Sequence, residues 1–156
     1  ERVDYSDDKT APVVYGYNRL GQNSSVVNGD STTINEYNAD GELLRQSISG
    51  GPLDGVTLEQ SFNDKGQREQ FTASLPHHQS IAHHYGYDDK GRMQTVRQDD
   101  RQATYTYDDE TGALTTTRFE TAGEAIAETT REFDDLGRLT NIRIRIRDGV
   151  GTLFYL

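Results

Sequence analysis

Four histidines fall close together, His77, His78, His83 and His84. Imidazoles at that density could ligate a divalent metal if a hairpin set His78 opposite His83. They also read as a Pro-initiated turn, PHHQS (76–80), leading into a strand. No acidic or thiolate ligand stands at a recognisable spacing, so no metal site is assigned. Three adjacent carboxylate pairs, Asp88-Asp89, Asp108-Asp109 and Asp134-Asp135, are raw material for acid and base work, which needs neighbouring carboxyls whose environments push their pKa values apart. Adjacent residues in a turn point apart, however, and each first member has a structural task. Such oxygen-rich turns can bind calcium loosely, but the spacing of an EF-hand loop is absent. Finally, IRIRIR (142–147) sets Ile142, Ile144 and Ile146 on one face of a strand and Arg143, Arg145 and Arg147 on the other. The arginines could grip an anion, or pair across the sheet with Glu124, Glu128 and Glu132. No GxSxG, HExxH or phosphate-loop word occurs. No catalytic residue, cofactor or metal is therefore assigned, and the chain reads as a non-enzyme.

The elements that carry these residues follow one repeated word: aromatic, Asn or Asp, two residues, Gly. It occurs as Tyr17-Asn18 with Gly21, Tyr37-Asn38 with Gly41, Phe62-Asn63 with Gly66, Tyr87-Asp88 with Gly91, and Phe133-Asp134 with Gly137. Tyr107-Asp108 with Gly112 is a copy one residue longer. Composition alone predicts roughly 0.2 strict copies, so the repeat is real. Asn or Asp at the first position of a type I turn accepts a backbone hydrogen bond, and Gly at the fourth takes positive φ cheaply. The word is a hairpin turn. Strand-like runs flank it, and a second set of turn signals lies between words: NGDS (28–31), GGPLDG (50–55), PHHQS (76–80), QDDRQ (98–102), TAGEA (121–125) and RDGVG (147–151).

Each repeat is thus two strands, and the chain reads as all-β, an antiparallel meander of tandem hairpins. Residues 1–12 are a leading strand or linker, 13–147 hold six hairpin repeats, and 148–156 begin a further, truncated one. Tyr15 and Tyr17, Tyr85 and Tyr87, and Tyr105 and Tyr107 alternate, which places each pair on one strand face and predicts a cross-strand aromatic ladder. Tyr37 and Phe62 lack an aromatic two residues earlier, where Asn35 and Gln60 stand, so an irregular ladder or shifted turn is expected there. Apolar residues recur two and five positions after the glycine, as in Met93 and Val96 or Leu139 and Ile142. That odd spacing breaks alternation and predicts a bulge just past the turn, with curvature as its consequence.

Hydrophobic residues make up only 32% of the 156, with no Trp, against about 45 to 50% in an ordinary globular domain counted with Gly. A thick two-layer core is excluded. The net charge of −10 disfavours nucleic acid and anionic membrane, which demand a basic face. With no Cys there are no disulfides or thiolate sites. No apolar run approaches the about 18 residues that span a bilayer. The chain opens without Met and stops inside the strand-like TLFYL, so it reads as a piece of a longer protein.

YGYDDKGRMQTV (85–96), REFDDLGRLTNI (131–142) and YNADGELLRQSI (37–48) resemble the YD repeats of the RHS and teneurin families, over essentially residues 13–147. The resemblance implies hairpins coiled into a β-sheet spiral that closes a hollow shell, or cocoon, as in bacterial RHS and Tc toxins, where it encloses a toxic segment. It further implies a secreted or cell-surface structural protein serving toxin delivery and virulence, with neighbouring repeats and an enclosed polypeptide cargo as partners. A one-layer shell needs few apolar residues, and an acidic chain suits a basic, unfolded cargo. The alternative is a carbohydrate-binding or adhesive repeat module, with exposed tyrosines stacking on sugars. An open meander also presents two raw edges. The isolated chain is expected to form dimers or larger assemblies; sedimentation at high concentration checks this, and a clean monomer would refute it.

Overall fold

The structure, a computed structural model, describes residues 1–6, 9–147 and 153–154. The chain is all-β and divides into two compact units, Glu1–Ala82 and His83–Leu156. In the first, β1 (Arg2–Val3), β2 (Val13–Tyr17), β3 (Asn23–Asn28), β4 (Ser31–Tyr37), β5 (Leu43–Ser49), β6 (Thr57–Phe62) and β7 (Arg68–Ser74) pair antiparallel in chain order. The division falls within β8 (Ile81–Tyr87). In the second unit β8 is followed by β9 (Met93–Gln98), β10 (Arg101–Tyr107), β11 (Leu114–Thr121), β12 (Glu124–Phe133), β13 (Leu139–Ile146) and β14 (Leu153–Phe154), again antiparallel in chain order. Apart from β14, the expected further repeat at 148–156 lies outside the described residues, as does most of the RDGVG turn.

Alternation along the strands sorts side chains into rows that run across each unit. In the second, Tyr85, Val96, Ala103, Phe119, Ala127 and Ile146 are successive register partners and form an apolar row. The adjacent row, on the opposite face, is polar: Thr95, Thr104, Arg118, Glu128 and Arg145. In the first unit Tyr15, Val26, Thr33 and Ile48 align on one face, and Gly16, Ser25, Ile34, Ser47 and Thr57 on the other. Neither unit seals a core. Among the described residues only Val13 and Thr117 are buried, while Leu20, Phe119, Ile126 and Leu136 stay exposed. Sparse hydrophobicity therefore matches a layer with no second layer to cover it, held by strand pairing between neighbours.

Three of the turns between words, at 29–30, 99–100 and 122–123, are tight. Gly29, Asp99, Ala122 and Gly123 all take positive φ, between 51° and 81°, the backbone hand that suits the twist of two-residue hairpin connections. Between β5 and β6 the chain makes a short 3-10 turn at Gly51–Leu53. There Gly50, at φ 70°, passes so close to the turn before β4 that an added Cβ would meet the Asp30 carbonyl oxygen at 1.9 Å. At Gly137 φ is also positive, 73°, but nothing lies within 4 Å of such a Cβ. Alanine at Gly137 is expected to cost about 1 kcal/mol from backbone strain. Gly50→Ala is expected to cost more, because strain and collision add, and urea unfolding midpoints of the two variants check the order.

Candidate functional site

The chemistry of this chain is concentrated at the word turns. In the first, Asn18 Oδ1 accepts the N–H groups of Leu20 (2.9 Å) and Gln22 (3.0 Å), Gly21 N–H donates to the Asn18 carbonyl (3.0 Å), and Asn18 N–H donates to the Gln22 carbonyl (2.9 Å). The same set recurs at Asn38, Asn63, Asp88 and Asp134, closed by Gly41, Gly66, Gly91 and Gly137. The side-chain oxygen thus satisfies two N–H groups that bend away from any strand partner. In the longer copy, Asp108 Oδ1 receives the N–H groups of Glu110 (3.1 Å) and Thr111 (2.7 Å) and the Thr111 hydroxyl (2.7 Å), while Gly112 N–H donates to the Asp108 carbonyl. The inserted residue is absorbed into the lock.

Three residues past each glycine the pairing slips. Gly16 pairs with Ser25 and Tyr17 with Asn23, leaving Ser24 as the extra residue; Leu44, Glu69, Gln94, Thr115 and Thr140 take the same place in the other hairpins. This bulge distorts the ladder, and the backbone beside it becomes a docking point for the following hairpin. Tyr37 donates its hydroxyl to the Asn23 carbonyl (2.8 Å), and Tyr107 to that of Met93 (2.7 Å). Phe62 has no hydroxyl, and there Gln60 Nε2 donates to the equivalent Leu43 carbonyl. Asn35 Nδ2 likewise donates to the Asn23 carbonyl (3.0 Å). Asn35 and Gln60, the gaps in the aromatic pattern, are amide donors in place of phenols, and the turns beside them keep their ordinary bonds. Arg131, at the same position before Phe133, donates instead to the buried Thr117 hydroxyl (3.1 Å).

The charges fall around these turns. Arg92 Nε donates to Asp88 Oδ2 (2.6 Å), its guanidinium lies 4.5 Å over the Tyr107 ring centre, and Lys90 Nζ reaches Asp109 on the next turn (3.2 Å). Burial pushes the Asp88 carboxyl up, but the Arg92 N–H, the Arg92 guanidinium and the Lys90 N–H outweigh it and hold Asp88 below 3.8. The N–H and hydroxyl of Thr111, with the Glu110 N–H and the Lys90 charge, lower Asp108 against burial. Asp134 is lowered by the N–H and guanidinium of Arg138, against burial, with help from the Leu136 N–H. The second members, Asp89, Asp109 and Asp135, are exposed. On β13, Arg145 pairs with Glu128 (3.7 Å), and just past it Arg147 pairs with Glu124. Glu132, expected to meet an arginine, accepts from Asn141 Nδ2 (3.2 Å), its register partner. A His83 ring nitrogen bonds Gln98 Oε1 (3.1 Å), and among the described residues no three His, Asp or Glu gather as a metal cluster. Removing the phenol in Tyr107→Phe is expected to cost about 1 kcal/mol. Tyr37→Phe is expected to cost less, since Asn35 still serves the Asn23 carbonyl, and denaturant titration of both variants checks the difference.

No family model and no curated protein matches the sequence. Solved structures match it in fold. The crystal structure of TcdB2-TccC3-Cdc42 aligns with 90% of this chain at TM-score 0.74 and 16% identity, and that of TcdB2-TccC3 with 90% at 0.73 and 17%. A structure of the Photorhabdus luminescens Tc holotoxin pore aligns with 72% at TM-score 0.62 and 21% identity. This chain spans only 8% of the chains in the first two and 5% of the third. Its tandem hairpins thus have the fold of a short stretch of much larger Tc toxin chains, the architecture that its YD-repeat resemblance implies.

Proposed function

We propose that this chain is a structural segment of a Tc-type or RHS-type toxin protein, one stretch of a curved β-shell that encloses and protects a polypeptide cargo. The observation that carries the reading is the Tc toxin fold shared by 90% of the chain, joined to hairpins that form a single uncovered layer. A wall of this kind works by continuity: strand pairs satisfy one another's backbone groups, a turn lock closes one end of each word hairpin, and carbonyls beside the bulges at Asn23, Leu43 and Met93 tie neighbouring hairpins together. Residues 13–147 then act as six consecutive wall units whose turn and ladder residues are structural. The protein performs no chemistry of its own in this role, is exported or displayed at the cell surface, and meets the flanking repeats of its parent chain along its edges. The net charge of −10 favours a cargo that is basic and unfolded. A sugar-binding module would need free aromatic platforms, whereas Tyr37 and Tyr107 are half-buried with hydroxyls given to backbone carbonyls.

The test is proteolysis of the intact parent protein with a nonspecific protease. A polypeptide segment outside the repeats is expected to survive in native buffer and to be cut once mild denaturant opens the repeats. Cutting of every such segment at the rate seen when it is expressed alone would overturn enclosure.

A further inference from the structure

The word hairpins differ at two positions that face each other. Where the turn begins with Asn, the residue four positions on is an acceptor: Asn18 with Gln22, Asn38 with Glu42, Asn63 with Gln67. In the strict copies that begin with Asp it is Arg: Asp88 with Arg92, Asp134 with Arg138. Asn Nδ2 donates to the Gln22, Glu42 and Gln67 side chains at 2.6, 2.7 and 3.1 Å, and Arg Nε donates to Asp88 and Asp134 Oδ2 at 2.6 and 2.7 Å. Valence explains the match. Oδ1 is occupied in the same way by two N–H groups in every strict copy, so the remaining atom is a donor in Asn and an acceptor in Asp. Replacing Asp88 or Asp134 by Asn alone, or Gln22, Glu42 or Gln67 by Arg alone, sets donor against donor, and unsatisfied polar groups are costly wherever water cannot replace the partner. The longer copy has Ala113 after its glycine, and Thr111 supplies the extra donor to Asp108.

The amide locks all lie within Glu1–Ala82, and Asp88, Asp108 and Asp134 all lie within His83–Leu156. We propose that this matched pairing is a specificity code for the turns, and that it confines acid-triggered loosening to the hairpins of the second unit. The charged surroundings agree. Asp88 faces Arg92 and Lys90 of its own turn, and both cations reach Asp109 of the next hairpin, Lys90 at 3.2 Å and Arg92 at 3.8 Å. Asp108 has Glu110 on its own turn and feels Lys90 from the preceding one. Asp134 faces Arg138, and a groove beside it is lined by Asp108, Glu110, Arg131, Glu132 and Asp135. In the first unit the one carboxyl within a lock is that of Glu42, which accepts from Asn38 Nδ2 (2.7 Å). A carboxyl held below 3.8 when folded stabilises its turn above 3.8 and loses that contribution as pH falls through the folded value.

Amide exchange by NMR tests this at residues whose N–H groups bond Oδ1. Between pH 6 and pH 3, after correction for intrinsic rates, protection at Leu136 and Arg138 is expected to fall by up to about sevenfold, the most that an ordinary carboxyl value of 3.8 allows at pH 3, with no matching fall at Lys65 and Gln67. The double change Asp134→Asn with Arg138→Gln is expected to abolish the acid response, whereas Asp134→Asn alone lowers protection at both pH values. The reverse change, Asn63→Asp with Gln67→Arg, is expected to bring the response to residues 65 and 67. An equal acid loss at both sites in the unaltered chain, a response that persists in the first double variant, or none created by the second would overturn the proposal.

Discussion

A sheet one layer thick must hold its shape without a core, so its backbone hydrogen bonds have to be complete at the places where a ladder naturally breaks. Those places are the turns. Along β-strands each N–H and C=O finds a neighbour, but at a turn the chain bends away and several groups lose partners. The oxygen of Asn18, and of its counterparts at Asn38, Asn63, Asp88, Asp108 and Asp134, meets two of these groups in every hairpin. The rest of the fold depends on this bond, because it sets the point from which both strands leave and therefore the register in which they pair.

The bulges that follow the turns at Gly21, Gly41 and Gly91 convert a local defect into a link. Slipping the register leaves a carbonyl beside the distortion, and the following hairpin reaches it with whatever donor it has: a phenol at Tyr37 and Tyr107, an amide at Gln60. Different residue types thus perform one task, since the requirement is only for a donor of the right reach on the correct face. Repeats of diverged sequence can stack in this way as long as each supplies one such group.

The two faces of each unit divide the work differently. Apolar rows such as Tyr85, Val96, Ala103 and Phe119 provide cross-strand packing, while polar rows carry exposed ion pairs such as Arg45 with Glu59 and Arg145 with Glu128, which are worth little individually. Cohesion therefore comes from pairing and side-chain packing between neighbours, in the manner of repeat proteins whose stability accumulates unit by unit.

The sequence by itself determined the all-β class, the antiparallel hairpins and the positions of the word turns. Each of these rests on interactions within about five residues, an Asx oxygen, a glycine at positive φ and a period of two, and such spacing is legible in one dimension. The odd apolar spacing after the glycine also marked the register slip. Only the tertiary structure decided which distant groups meet. Gln60 donating to Leu43 and Tyr107 to Met93 join residues 17 and 14 positions apart, and Glu132 meets Asn141 rather than an arginine because the slipped register of β12 and β13 sets those two opposite each other. A one-residue shift in pairing exchanges the faces of a strand, so long-range partners follow from register, and register is fixed only when neighbouring strands are in place.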